Sequence, residues 1–178
     1  VNTFALEIWY DEGSICTFYT VRLITDEVDA ASETDNFFDT YAAPNHTFEE
    51  KALQLFRLIT ESIGNRYGAI DDFFDRTENN AQALPPKPKQ WIEEIKDLGI
   101  NFPLRLFCFR VTENIVVLFN GGIKESQAIQ ESKNLSTKFY EAQSFVKKIE
   151  DALQSKLIEI TDDGRYLQSF DGTTDIIF

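Results

Sequence analysis

Apolar and polar positions alternate over Thr3–Tyr10, with Phe4, Leu6, Ile8 and Tyr10 on one side, and this spacing predicts a strand. Asp11-Glu12-Gly13-Ser14 reads as a turn. Ile15–Ile24 then carries β-branched and aromatic residues at strand density, so the two runs are expected to pair as a hairpin. Residues 25–46 are acidic and poorly periodic, which predicts a loop with a short helix around Phe37 and Phe38. Ser32 followed by Asp35 is an incomplete capping box, whereas Thr47-Phe48-Glu49-Glu50 is a full one. A helix is expected after it, with Ala52, Leu55, Phe56, Ile59 and Ile63 on one face and Gly64 as its stop. A second short helix carries Ile70, Phe73 and Phe74.

Residues 77–90 are polar and end in Pro85-Pro86-Lys87-Pro88-Lys89, where the prolines forbid a helix. They read as an exposed connection, and a stiff surface segment is a simpler account than a PxxP ligand. Trp91–Leu98 has a pattern of neither clear period. Pro103–Val111 and Ile115–Asn120 are the clearest strands, joined by Thr112-Glu113-Asn114 as an antiparallel hairpin. Both are apolar nearly throughout, which predicts a central place in a sheet, and Gly121-Gly122 closes the second. Between Leu135 and Ser155 the stripe Phe139, Ala142, Val146, Ile149, Leu153 marks a long helix covering the sheet. The stripe is too short for a coiled-coil seam. Leu157–Ile160 and Tyr166–Phe170, separated by Asp163-Gly164, predict a further hairpin. The expected class is α+β, a mainly antiparallel sheet with helices packed on one face. The chain is expected to form one domain, 1–178, made of an N-terminal hairpin and acidic loop (1–46), a core (48–150) and a C-terminal extension (151–178).

Composition supports a packed core: 43% of the 178 residues are hydrophobic, with 16 Phe. No run approaches the ~20 apolar residues of a membrane span, and Val1-Asn2-Thr3-Phe4 lacks the basic-then-apolar pattern of an export signal. A cytoplasmic location and no membrane association are expected. Cys16 and Cys108 lie in separate apolar runs and read as buried free thiols, and His46 is the sole histidine. A Cys–His nucleophile or a multi-histidine metal site therefore lacks raw material. Asn45-His46-Thr47 matches the glycosylation pattern, which carries little weight without an export signal. Net charge is −13, unevenly spread: residues 1–82 hold 16 acidic and 5 basic side chains, residues 83–140 hold 6 and 8. The total repels a phosphate backbone, so nucleic acid is disfavoured as a partner unless the middle segment acts locally or through a basic partner, and an antitoxin-like or basic protein is the alternative.

Gly121-Gly122-Ile123-Lys124 follows a strand, but its spacing departs from a phosphate-binding P-loop and Glu125 follows the lysine. Asp71, Asp72 and Asp75, and Asp162 and Asp163, match no calcium-loop spacing. No cofactor and no metal are expected. Arg105 and Arg110 share a strand; five positions apart, they point to opposite faces if it is regular. An arginine on an apolar sheet needs an acidic partner, or it lines a cleft for an anion. Arg105, Arg110 and Lys124 are the candidate site residues.

The segments Leu104–Arg110 and Ile115–Lys124, followed by a long helix, are similar to the C-terminal half of phage-derived Gp49-like and HigB-like proteins of the RelE/ParE toxin superfamily. The resemblance covers about residues 48–150. It implies a fold in which an arginine-bearing strand, a second apolar strand and a lysine-rich loop lead into a helix. It also implies an mRNA-cleaving activity in which basic side chains neutralise charge on the scissile phosphate. Arg105 takes the place of the family's strand arginine and Lys124 that of the first lysine of its Lys-Lys loop; the second is Glu125 here. Three readings follow. The favoured one is a toxin-like scaffold in an interaction role, with a cleft lacking a basic rim. The second is a ribosome-dependent mRNA endonuclease neutralised by an antitoxin-like partner, with Arg105, Arg110 and Lys124 on one face. The third is an acidic module for a basic protein, using residues 26–39 and 71–78.

Overall fold

A computed structural model describes residues 3–96, 98, 101–125 and 133–178. The alternating N-terminal runs form β1 (Phe4–Tyr10) and β2 (Thr17–Leu23), and the apolar middle runs form β5 (Leu104–Thr112) and β6 (Ile115–Ile123). Each pair is an antiparallel hairpin. The hairpins are joined through a parallel seam in which Thr17, Phe18, Tyr19 and Thr20 lie beside Ile115, Val116, Val117 and Leu118. Two short strands, β3 (Thr77–Glu78) and β4 (Ala81–Leu84), extend the sheet beyond β5, and β9 (Ile176–Ile177) extends it beyond β1. The seven strands run in the order β3-β4-β5-β6-β2-β1-β9. The fold is α+β with a mainly antiparallel sheet.

Helices cover both faces of that sheet rather than one. The reason is the central strands, which are apolar at successive positions and so bury both of their sides. Phe107, Ile115, Val117 and Phe119 face α4 (Lys133–Gln154) through Phe139, Ala142, Val146 and Ile149. Leu106, Cys108, Val116 and Leu118 belong to a second core. That core is closed by α1 (Glu33–Tyr41), α2 (Glu49–Arg57), a π-helical segment at Leu58–Tyr67 and the short α3 (Glu93–Lys96). Phe37, Leu55, Ile59, Ile63 and Ile95 supply its helical side, and all are buried.

The helix boundaries follow local hydrogen bonds that sequence signals describe only in part. Ser32 caps α1: its hydroxyl accepts from the Asp35 N–H at 3.1 Å and donates to the Asp35 carboxylate at 2.8 Å. The Thr47 box does not operate. The cap residue of α2 is Phe48, which makes no side-chain capping bond. His46 Nδ1 accepts from the Phe48 N–H at 3.0 Å, and Glu49 accepts from the Asn45 N–H at 2.8 Å. Gly64 does not stop the helix, which continues to Tyr67 in π form. Its carbonyl instead accepts from the Ile15 and Cys16 N–H groups, both at 3.0 Å, so the start of β2 is laid against the widened helix. A Cβ on Gly13 would lie 2.3 Å from that carbonyl, which is why the preceding turn carries glycine there.

Residues 77–90 are not one loop, because Thr77–Glu78 pairs with Ala81–Leu84, which in turn pairs with β5. Gly121 and Gly122 do not close β6 but lie inside it, opposite Leu106 and Arg105. The tail forms β7 (Ile158–Ile160) and β8 (Leu167–Ser169), a separate two-stranded sheet. Tyr19 anchors it by accepting from the Leu167 N–H at 2.8 Å, and Arg165 donates to the Gly13 and Ser14 carbonyls at 2.8 and 2.9 Å. Among the described residues no helix is long and apolar enough to cross a membrane.

Candidate functional site

A cavity of about 180 Å³ opens at the β3–β4 edge of the sheet, on the face covered by α4. Four basic residues line it: Arg76 ahead of β3, Lys87 after β4, Arg105 on β5 and Lys124 after β6. Among the described residues Asp75 is the one acid on its wall, and Phe107 and Phe139 supply an apolar side. The topology explains the gathering. Strands β4, β5 and β6 are neighbours, and the pocket collects the segments that enter or leave them at one end.

Arg105 is the innermost of the four, only 2% exposed. Its Nη1 donates to the Phe102 and Leu104 carbonyls, both at 2.8 Å. No carboxylate pairs with it among the described residues. The expectation of an acidic partner therefore fails for this arginine, and the alternative, an arginine lining a cleft, holds. Burial, together with the nearby charge of Arg76, pulls its pKa down to about 10. That drop corresponds to about 3 kcal/mol held against the charged form. An anion in the cavity would relieve it.

Its neighbours are held in place by backbone and side-chain bonds. Arg76 Nε donates to the Pro85 carbonyl at 2.9 Å, and burial lowers its pKa, with Asp75 partly offsetting this. The Asp75 carboxylate is already engaged, accepting from the Lys87 N–H at 3.1 Å and pairing with Lys89. Lys87 is exposed at the mouth. The Lys124 N–H donates to the Pro103 carbonyl at 2.8 Å, which fixes where β6 ends relative to β5. Gly121 is what lets those strands close: a Cβ there would lie 1.8 Å from the Arg105 carbonyl.

Arg110 is placed elsewhere. Alternation along β5 puts it on the opposite face, as the five-residue spacing predicted. It pairs with Asp71 at 2.6 Å, lies 3.9 Å from Glu113 and sits over the Phe74 ring. So Arg105 and Lys124 converge, and Arg110 serves an ion pair. Arg76 and Lys87 complete the site and were not anticipated. Arg76 sits in an acidic run and Lys87 in a proline-rich one, and only the edge hairpin brings both to the cavity. Lys87 and Lys89, framed by prolines, were the available signal.

Other candidate chemistry resolves into structure. Cys16 and Cys108 are buried free thiols. Burial pushes Cys16 up to about 12 and Cys108 higher still, so neither is a nucleophile at neutral pH. No three metal-ligating side chains cluster among the described residues. The acidic run is partly consumed internally: Glu33 is buried and accepts from Asn120 at 3.2 Å, and Asp35 accepts from the Trp9 indole at 3.0 Å. No family model, no curated protein and no solved structure matches the chain.

Proposed function

We propose that this chain is a binding domain whose basic pocket receives the anionic group of a small ligand. The observation that carries the reading is Arg105, buried at 2% exposure beside a cavity and neutralised by no carboxylate among the described residues. Buried charges are ordinarily paired, because desolvating a lone one is costly. A site that keeps a guanidinium dry and unpaired is arranged for an anion that arrives from outside. The surrounding Arg76, Lys87 and Lys124 raise the local potential, although the whole molecule carries −13.

Binding fits the pocket better than turnover. Asp75, the acid among its described lining residues, is tied to Lys89 and the Lys87 N–H, so it is not a free general base. A scaffold in an interaction role is thus the preferred reading of the RelE-like resemblance, although that reading expected a cleft lacking a basic rim and this cavity carries one. The test is titration calorimetry with acetate, sulfate and phosphate at constant ionic strength. Heat of binding that disappears in Lys124→Ala supports the pocket as the receptor. No binding by any of the three would end this reading.

The nuclease reading keeps one supporting observation, the convergence of Arg105 and Lys124 on one cavity. Inducible expression in bacteria checks it. Growth arrest with transcript cleavage, lost in an Arg105→Ala plus Lys124→Ala variant, would establish it. Intact transcripts with soluble protein would remove it.

A further inference from the structure

Resting on the anion-receptor reading, we infer that the group the pocket takes is a dianionic phosphate, free or as the terminal monoester of a larger molecule, rather than a carboxylate or a phosphodiester. Three features of the cavity point there. The first is donor geometry. Arg105 and Arg76 each donate to carbonyl oxygens, Phe102 and Leu104 for one and Pro85 for the other. Two guanidinium forks then face one small space. A carboxylate has two oxygens and is filled by one fork, whereas a phosphate offers three free oxygens that two forks share.

The second is charge. Among the described lining residues, Arg76, Lys87 and Arg105 face Asp75, and Asp75 is already matched by Lys89. The charge of Arg76 also disfavours that of Arg105. A monoanion leaves part of that repulsion standing, and a dianion meets one charge per arginine. The Phe107 and Phe139 wall excludes water on one side, which strengthens each of these attractions.

The third is size. At about 180 Å³ the cavity is smaller than the roughly 300–1,000 Å³ of pockets that engulf drug-sized ligands. It accommodates a phosphoryl head and a few further atoms. The remainder of any larger ligand would lie outside, past Lys87 at the mouth.

The experiment compares inorganic phosphate, methyl phosphate, dimethyl phosphate and acetate at pH 8, where a phosphate monoester is dianionic. Affinity is read by calorimetry and, independently, by the rise in melting temperature that a ligand binding only the folded state produces. Inorganic phosphate or methyl phosphate should bind at least tenfold more tightly than acetate and dimethyl phosphate. Preference for methyl phosphate marks a monoester ligand, and preference for inorganic phosphate marks the free ion; both support the inference. Lys87→Ala, on an exposed residue, should weaken phosphate binding several-fold while leaving the unliganded melting temperature unchanged. Arg76→Gln should weaken it at least tenfold. Acetate or dimethyl phosphate binding as tightly as phosphate would overturn the inference and leave the anion-receptor reading intact. Absence of binding by all four would overturn both.

Discussion

Arg105 and Arg110 stand five positions apart on one strand, and their environments assign them different work. Arg110 is bound to Asp71, whose side chain is 89% exposed, so the pair is screened by water. Arg110→Ala is expected to lower stability by no more than about 1 kcal/mol, measured by urea denaturation, and to leave anion binding unchanged. Gly121→Ala should behave differently. The added Cβ meets the Arg105 carbonyl and must push β5 and β6 apart, so a loss above about 2 kcal/mol is expected by the same measurement. Phosphate binding should weaken with it, because the displaced backbone carries Arg105. The site was half legible in the chain. Residue alternation separated Arg105 from Arg110, and the strand order of the central hairpin placed Lys124 near Arg105. Arg76 and Lys87 were hidden because strands β3 and β4, of two and four residues, leave too little pattern to be read.

The elements were most legible where burial is one-sided or a hairpin is short. The stripe on α4 and the alternation in β1 both gave the right element. Signals that depend on a single side chain were less dependable. Ser32 caps α1 although its partner three residues on is Asp rather than Glu, because the hydroxyl needs only the backbone N–H of that residue. Ser32→Ala is expected to cost about 1 kcal/mol, seen as a lower urea midpoint with an unchanged slope. Thr47, with the better motif, caps nothing, because α2 takes Phe48 as its cap residue, one position later. The π-helical continuation through Gly64 had no local signature. Its cause is tertiary: the Gly64 carbonyl serves two N–H groups at the start of β2, which no reading of the helix alone supplies. The placement of helices on both faces was written in the unbroken apolar runs of β5 and β6, a pattern of strands buried on two sides.

At the scale of the molecule, two cores lie on opposite faces of one sheet, and both cysteines belong to the second. Cys16 and Cys108 are fully buried there, with their thiols held protonated. Neither should react with an aromatic disulfide reagent at neutral pH in the native state. Both should react at the rate of global unfolding, and fast labelling of one alone would show that its core opens separately. The charge distribution was legible as a regional excess of bases in residues 83–140, whereas the pocket draws Arg76 from outside that region. Segmental charge counts follow the chain, and a binding site follows the sheet.

The parallel seam between β2 and β6 has a kinetic meaning. Each flanking hairpin brings together residues close in the chain, and such local pairings form in microseconds. The seam brings Thr17 to Ile115, across about a hundred residues that include α1, α2 and β5. Contacts of that separation raise contact order and slow the search, placing this fold with chains that mature in milliseconds to seconds. Until the seam closes, the inner edges of both hairpins stand open with apolar residues on each side, and a newly made chain is then most exposed to pairing with a copy of itself.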